Sequence, residues 1–324
     1  MPRKKVETNR PNSKILTLLL LLVLLYNDLY SIQPGPDMSN SQTGRIVAWG
    51  GDDNRQVSGL PQDNGFRKVA VGYQHSLALR DDGVIIAWGH DGNGQVSEAP
   101  TSPGYISLAS GSNHNIALHE DGSVVTWGWD PFNEDNRKNA LGKEPATNDI
   151  VAIDAGGNHN LALTKDGTIV AWGWDLYKQV SGAPRDAGYI AISAGEHHNL
   201  ALREDGSIVA WGNDMSGSVK DTPTEAGFVA ISAGARHNLA LKEDGSLVAW
   251  GWDLQNEVSS TPAEGIYKAI AVGYTHSLAL RDDGTIVSWG WERSRRGQIT
   301  ETPVQSGFVA ITAGDFHNLA IIAD

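Results

Sequence analysis

Short apolar runs separated by polar turns fill the chain from residue 44 onward. In one stretch, FVAISAG (228–234) is followed after two residues by HNLALKE (237–243), and SLVAWG (246–251) comes next. Runs of this length with apolar residues in alternation predict β-strands, and the Asp244-Gly245 pair predicts a tight hairpin turn. We name these predicted strands a, b and c, and we expect a short fourth strand, d, around Glu257 and Val258. The pattern indicates an all-β chain.

The same pattern recurs at a nearly constant spacing of 39 residues. Both sides of each strand carry apolar residues, so each sheet must be covered on both faces. Four-stranded units that repeat about every 40 residues and pack face to face predict a β-propeller, whose units are called blades. Two markers define the repeat: a Trp-Gly pair at Trp49, Trp88, Trp127, Trp172, Trp211, Trp250 and Trp289, and a histidine at His75, His114, His159, His198, His237, His276 and His317.

The two ends of the repeat region complement each other. The first unit begins at strand c (GRIVAWG, 44–50), whereas the last contains only strands a and b (308–324). Joined in register, they form one complete unit, so we expect a seven-bladed propeller closed by a composite blade from both termini. An open solenoid is the alternative, but it would need polar capping repeats at its ends, and neither end differs from the interior copies.

Residues 1–43 have a different character from the repeats. Basic residues precede the apolar run ILTLLLLLVLLY at 15–26, which is typical of a secretory leader. We therefore predict a signal peptide or signal anchor at 1–30, a flexible linker at 31–43 and the propeller at 44–324. No small-residue cleavage site follows the run, so an uncleaved membrane tether stays an alternative. Either way, we expect an extracytoplasmic protein, secreted or periplasmic, whose only membrane contact is this segment.

Composition and charge narrow the class of partner. The chain has no Cys, which excludes disulfides and thiolate metal sites. The formal net charge is −13, and residues 1–43 contribute five basic and three acidic side chains, which leaves −15 on the propeller region. A body this acidic repels nucleic acid over its average surface. We expect a monomer that binds neither nucleic acid nor a cofactor.

Variation among the copies is concentrated in the a–b and c–d turns. Strand alternation places both sets of turns on one side of the disc, which we call the loop face, and the Asp-Gly b–c turns on the other. Variation on one face of a rigid scaffold is typical of a binding surface. The predicted partner-binding residues are Tyr73, Gln74, Asn113, Trp129, Asn158, Trp174, His197, Arg236, Trp252, Tyr274, Trp291 and Phe316.

Other repeated polar residues have structural explanations. The repeat histidines lie in different blades, so we interpret them as hydrogen-bonded residues between blades and not as metal ligands. The acidic residue three positions after each Trp, such as Asp253, lacks the spacing of a calcium loop and is predicted to cap a turn. The second Trp of the WGW segments, such as Trp129, could extend the core or could lie exposed at the strand end.

The segments VAWG-x-D, Q-V-S (56–58, 95–97, 179–181) and AG-x-x-H-N-L-AL-x-x-DG resemble repeats of the regulator of chromosome condensation family. Within that superfamily the even 39-residue period is most similar to the bacterial secreted propellers that inhibit β-lactamases. This resemblance implies that aromatic and polar loop residues grip a target enzyme. Tyr73, Tyr274 and Phe316 match aromatic contacts of those inhibitors, whereas Asn158, His197 and Arg236 depart from their pattern.

Three functional hypotheses follow. The first is a non-enzymatic, protein-binding propeller that inhibits an extracellular enzyme. The second is a propeller lyase or hydrolase acting on a glycan, with Glu196, His197 and Arg236 as its constellation. The third is a purely structural surface repeat. No catalytic motif is present in the sequence, which favours the first.

Overall fold

The computed structural model describes residues 43–129, 145–292 and 296–324. The predicted signal segment at 1–30 and all of the linker except Thr43 lie outside these ranges, so those predictions stand as they were made. Within the described ranges the regular elements are all β-strands. This part of the chain contains no helix with the length and apolar character needed to cross a membrane.

The strands follow the predicted a, b, c order. Strand a is β2 (Phe66–Val71), β5 (Tyr105–Ser110), β8 (Ile150–Ala155), β11 (Tyr189–Ala194), β14 (Phe228–Ala233), β17 (Tyr267–Val272) and β20 (Phe308–Ala313). Strand b is β3 (His75–Arg80), β6 (His114–His119), β9 (His159–Thr164), β12 (His198–Arg203), β15 (His237–Lys242), β18 (His276–Arg281) and β21 (His317–Ala323). Strand c is β1 (Gly44–Gly50), β4 (Ile85–Gly89), β7 (Val124–Gly128), β10 (Ile169–Gly173), β13 (Ile208–Gly212), β16 (Leu247–Gly251) and β19 (Ile286–Gly290).

Strand b is the central strand of each antiparallel sheet. In one unit β15 pairs with β14 on one side and with β16 on the other, where His237 lies opposite Gly251. A bulge between Phe228 and Ala230 shifts the register at the start of strand a, and equivalent bulges begin the other a strands. Five such sheets have three strands each, and one has six, in the order β20-β21-β1-β2-β3-β4.

The six-stranded sheet contains the predicted composite unit. β1 pairs with β21 along its whole length, from Gly44 opposite Ala323 to Gly50 opposite His317. The predicted joining of the two ends of the repeat region is therefore confirmed. β1 also meets β2 at one position, Gly44 opposite Phe66, and this contact merges two units into one sheet.

The predicted fourth strand does not form in the described residues, so the sheets have three strands per unit and not four. The segment around Glu257 and Val258 is instead a turn. The backbone N–H groups of Val258 and Ser259 each donate to Oδ1 of Asp253 at 2.8 Å, so they are not available for a ladder. The sequence alternation was too short here to outweigh this local side-chain bonding.

The core lies between successive units. Leu239 and Leu241 of β15 are fully buried against Tyr267 and Ile270 of β17, and Trp289 of the next strand c completes the cluster. Equivalent clusters recur around the chain and include one formed by Trp49, Leu278 and Phe308. Burying a large apolar side chain contributes roughly 1.5–3 kcal/mol, so the stability of each unit depends on its neighbours.

Candidate functional site

The repeat histidines are structural, as predicted. Nε2 of His75 lies 2.7 Å from Oδ1 of Asn115 in the next unit, and Nδ2 of Asn115 donates to the carbonyl of Gln95. Because that amide presents its oxygen to the imidazole, Nε2 carries the proton. The same contact recurs in the pairs His114–Asn160, His159–Asn199, His198–Asn238, His237–Ser277, His276–Asn318 and His317–Ser76.

Burial keeps these imidazoles neutral. It lowers the pKa of His75, His159 and His198 to about 4, and that of His114, His237 and His317 to about 3.

The ring of His75 also explains why a glycine follows strand a, since a Cβ on Gly72 would lie 2.2 Å from Cε1 of His75. No group of three metal-ligating side chains occurs in the described residues.

The acidic residues after each repeat Trp cap the c–d turns. Oδ1 of Asp52, for example, accepts hydrogen bonds from the backbone N–H groups of Val57 and Ser58 at 2.8 and 2.9 Å. Asp91, Asp175, Asp214 and Asp253 make equivalent pairs, whereas Asp130 lies outside the described residues. Turn capping is therefore confirmed for the described aspartates.

A backbone hydrogen bond joins the two variable positions of each unit. The N–H of Trp252 donates to the carbonyl of Arg236 at 3.0 Å, which brings the c–d turn against the a–b turn. The carbonyls of Gln74, Asn113 and Asn158 accept the equivalent bonds from His90, Trp129 and Trp174. The side chains of Gln74, Asn113 and Asn158 are half-buried. The loop face thus presents its variable side chains in adjacent pairs.

The second tryptophans of the WGW segments lie just beyond the end of strand c. Trp129, Trp174 and Trp252 are half-buried and Trp291 is 38% exposed, whereas the first Trp of each pair is at most 7% exposed. None of these four belongs to a core cluster among the described residues. Of the two interpretations left open by the sequence, the structure thus favours exposure at the strand end.

Trp174 forms an aromatic cluster with the a–b turn of the next unit. The ring of His197 lies 5.3 Å from that of Trp174 and 5.2 Å from that of Tyr177. Nε2 of His197 also lies 3.7 Å from Oε1 of Glu196. Glu196 lines a depression of about 100 Å³ at the centre of the loop face, where the glycines that end the a strands meet.

Arg236 lines a second depression, which is formed with Trp252, Leu254, Tyr274 and Trp291 and has a volume of about 290 Å³. The guanidinium Cζ lies 5.3 Å from the ring centroid of Trp252, in cation–π geometry. Of the three residues in the glycan hypothesis, Glu196 and His197 therefore lie close together, whereas Arg236 lines this separate depression.

Phe316 is buried, contrary to the expectation that it is an exposed contact. Its side chain is 5% exposed because the ring of Tyr73 packs on it edge-on at 5.0 Å and Arg296 lies over it at 4.8 Å. Arg296 also forms an ion pair with Asp53. Tyr73 itself is half-buried. At this part of the loop face, a partner would meet Tyr73 and Arg296 and not the ring of Phe316.

Three exposed apolar residues on the loop face were not among the residues predicted from the sequence. Leu176, Met215 and Leu254 are 67%, 84% and 77% exposed. Each stands four positions after a repeat Trp, in three successive units, and that shared position is the signal that could have revealed them. With their neighbours they form a surface that we call the aromatic arc: Trp174, Leu176, Tyr177, His197, Met215, Arg236, Trp252, Leu254, Tyr274 and Trp291.

The described fold is similar to solved propellers. Prp20p from Saccharomyces cerevisiae, reported with its binding properties to Gsp1p and histones, superposes with a TM-score of 0.72 at 21% identity, over 93% of this chain and 94% of that one. The same yeast protein bound to Kap60 gives 0.72 at 18% identity, over 100% and 96%. The ectodomain of the Physcomitrella patens receptor kinase CR4 gives 0.63 at 25% identity, over 77% and 69%.

Sequence comparison is consistent with this fold. No curated protein matches the chain significantly. The repeat of the regulator of chromosome condensation (RCC1), however, matches residues 66–95, 105–134, 150–179, 189–217, 228–256 and 267–298, which together are more than half of the chain. The protein therefore belongs to the family of regulator of chromosome condensation (RCC1) repeat proteins.

Proposed function

We propose that this chain is a non-enzymatic propeller that binds a protein partner through the aromatic arc. The observation that carries the proposal is the exposure of Leu176, Met215 and Leu254 at equivalent positions in three successive units. Exposed apolar surface beside aromatic residues and arginine is typical of protein interfaces. The turns that carry the arc are held by backbone hydrogen bonds, so the surface is ordered before binding, which lowers the entropic cost of association.

We further propose that the body is a closed ring of seven blades. The chain of histidine contacts between units supports this, because it returns to its start: His276 bonds Asn318, and His317 bonds Ser76. The pairing of β1 with β21 supports it as well, since it leaves neither terminal strand as a free edge. A closed ring would hold the loop face as one rigid surface.

Charge favours a protein over a nucleic acid as the partner. The net charge of −13 opposes binding to a phosphate backbone. The structurally similar Prp20p was solved with Kap60, a protein partner, which supports the same class of ligand here. From the leader-like residues 1–30 and the resemblance to secreted inhibitors, we propose that the chain is exported or tethered and that its partner is an extracellular enzyme.

The test is affinity capture with the full-length chain, followed by identification of bound proteins by mass spectrometry. A variant with Leu176→Ser, Met215→Ser and Leu254→Ser should lose the partner. Ile266→Ser is the matched control, because Ile266 is also apolar and 65% exposed but lies against the b–c turn glycine Gly245, on the opposite face. Equal capture by the triple variant and by the wild type would contradict the proposal.

A further inference from the structure

The second depression of the loop face has the dimensions of a side-chain pocket. Its volume is about 290 Å³, at the lower limit of the roughly 300–1,000 Å³ typical of ligand pockets. Besides Arg236, it is lined by Trp252, Tyr274, Trp291 and Leu254 and by two polar residues, Gln255 and Thr275. The hydroxyl of Thr275 is already bonded to the carbonyl of Trp291, so the lining is largely apolar and aromatic. A depression of this size and lining fits one apolar side chain better than a cofactor or an oligosaccharide.

Arg236 adds a charge requirement to this pocket. Its side chain is exposed, lies over Trp252 and forms no ion pair with any described residue. Three other described arginines lie over an aromatic ring. Arg203, over Tyr189, pairs with Asp186, and Arg296, over Phe316, pairs with Asp53. The third, Arg281, is more distant, at 6.0 Å from the ring centroid of Tyr267, and forms no ion pair with a described residue. At Arg236 the aromatic platform is present and the carboxylate is not.

We propose that the partner supplies that carboxylate. The pocket receives one apolar side chain of the partner protein, and an Asp or Glu next to it in the partner's sequence meets the Arg236 guanidinium. This inference rests on the proposed function and specifies the chemistry of the partner. A planar guanidinium held over a ring can donate two parallel hydrogen bonds to the two oxygens of a carboxylate, whereas an amide has one acceptor oxygen, so the carboxylate would be selected over an amide.

The experiment compares two capped peptides, acetyl-Gly-Phe-Asp-Gly-amide and acetyl-Gly-Phe-Asn-Gly-amide, by NMR of the tryptophan indole N–H groups of the full-length protein. Variants Trp252→Phe and Trp291→Phe assign the two relevant signals. We expect both signals to shift, and the Asp peptide to bind about two- to fivefold more tightly at low salt, with the difference shrinking as salt rises.

Arg236→Gln should abolish the preference for the Asp peptide. Arg203→Gln is the control and should preserve the preference, because Arg203 also lies over an aromatic ring but is outside the pocket. Equal binding of the two peptides to the wild type, shifts confined to other tryptophans, or no binding at millimolar peptide would overturn the inference. Binding only of an uncapped peptide that ends in Phe would also overturn the inference, because the carboxylate bound by Arg236 would then be a chain terminus and not an Asp or Glu side chain.

Failure of this inference is distinguishable from failure of the proposed function. If the peptides do not discriminate but the Leu176, Met215 and Leu254 variant still loses a captured partner, then the arc binds a protein whose contact at Arg236 is of another kind. If that variant retains the partner, the arc itself is not the interface, whatever the peptides do.

Discussion

Nε2 of His317 lies 2.7 Å from Oγ of Ser76, so β21 is bonded to β3. Ser76 in turn contacts the carbonyl of Gln56 at 3.3 Å. This contact occupies the same place as the His–Asn bonds between the interior units. The junction of the two ends of the repeat region is thus built from the same kind of histidine contact as the junctions between the other units.

Removal of residues 308–324 should therefore prevent stable folding. The deletion removes β20 and β21, leaves β1 without its partner and uncovers Trp49. Loss of one large core side chain costs about 3–5 kcal/mol against a total stability of about 5–15 kcal/mol. We expect aggregation or loss of the cooperative thermal transition, measured by circular dichroism and size-exclusion chromatography. Deletion of the exposed Asp324 alone is the control. A monomeric truncation that melts cooperatively would contradict ring closure.

Stability should fall steeply in mild acid. In the folded protein, burial lowers the pKa values of all seven repeat histidines below the unfolded value near 6.5. For the six other than His276 the lowered pKa is about 3–4. The unfolded chain therefore binds more protons below pH 6.5, and stability, complete above that pH, is lost as the pH falls. Each histidine contributes about 1.4 kcal/mol per pH unit in this range.

The corresponding measurement is urea unfolding between pH 8 and pH 5. At pH 6 the slope of unfolding free energy against pH should correspond to uptake of about five protons by these histidines. We expect unfolding without denaturant between about pH 5 and 6. A flat free energy over this range would show that the imidazoles are not buried as neutral groups.

Phe316 and Tyr274 should respond differently to substitution by alanine. Phe316 is buried under Tyr73 and Arg296, so Phe316→Ala should lower stability by about 3–5 kcal/mol. Tyr274 is half-buried and lines the pocket, so Tyr274→Ala should lower stability less than Phe316→Ala does and should weaken partner binding by about 2 kcal/mol. Glu204→Ala and Glu243→Ala, on the opposite face, should change neither quantity. If only the glutamate variants lost affinity, the interface would lie on the face of the b–c turns, and its assignment to the loop face would be wrong.

Asp253 offers a test of turn capping. Asp253→Ala removes the acceptor of two backbone N–H groups, and we expect a loss of about 0.5–1.5 kcal/mol in unfolding free energy. Asp253→Asn keeps an acceptor oxygen and should lose less. Urea titration of both variants checks this order. Equal stability of the alanine variant and the wild type would mean that the turn forms without its cap.

Much of this architecture was readable from short-range pattern. Apolar alternation, the Asp-Gly turns and the 39-residue period depend on neighbours in sequence, and they located strands a, b and c, the complementary ends and the role of the repeat histidines. The prediction of a fourth strand was wrong because the apolar alternation there is only a few residues long. The carboxylate of Asp253 accepts hydrogen bonds from the backbone N–H groups of Val258 and Ser259, which a strand would need for its ladder.

Exposure on the loop face could only be decided by tertiary packing. Tyr274 and Phe316 are the first and second residues of a–b turns in successive units, and Tyr274 is half-buried whereas Phe316 is buried, because Arg296 from the adjacent unit reaches across its ring. The sequence also does not show which arginines find a carboxylate. Arg203, at the end of a b strand, lies beside Asp186, whereas Arg236, in an a–b turn, faces an open aromatic pocket. The pairing of a long side chain depends on which charges the folded chain brings within reach.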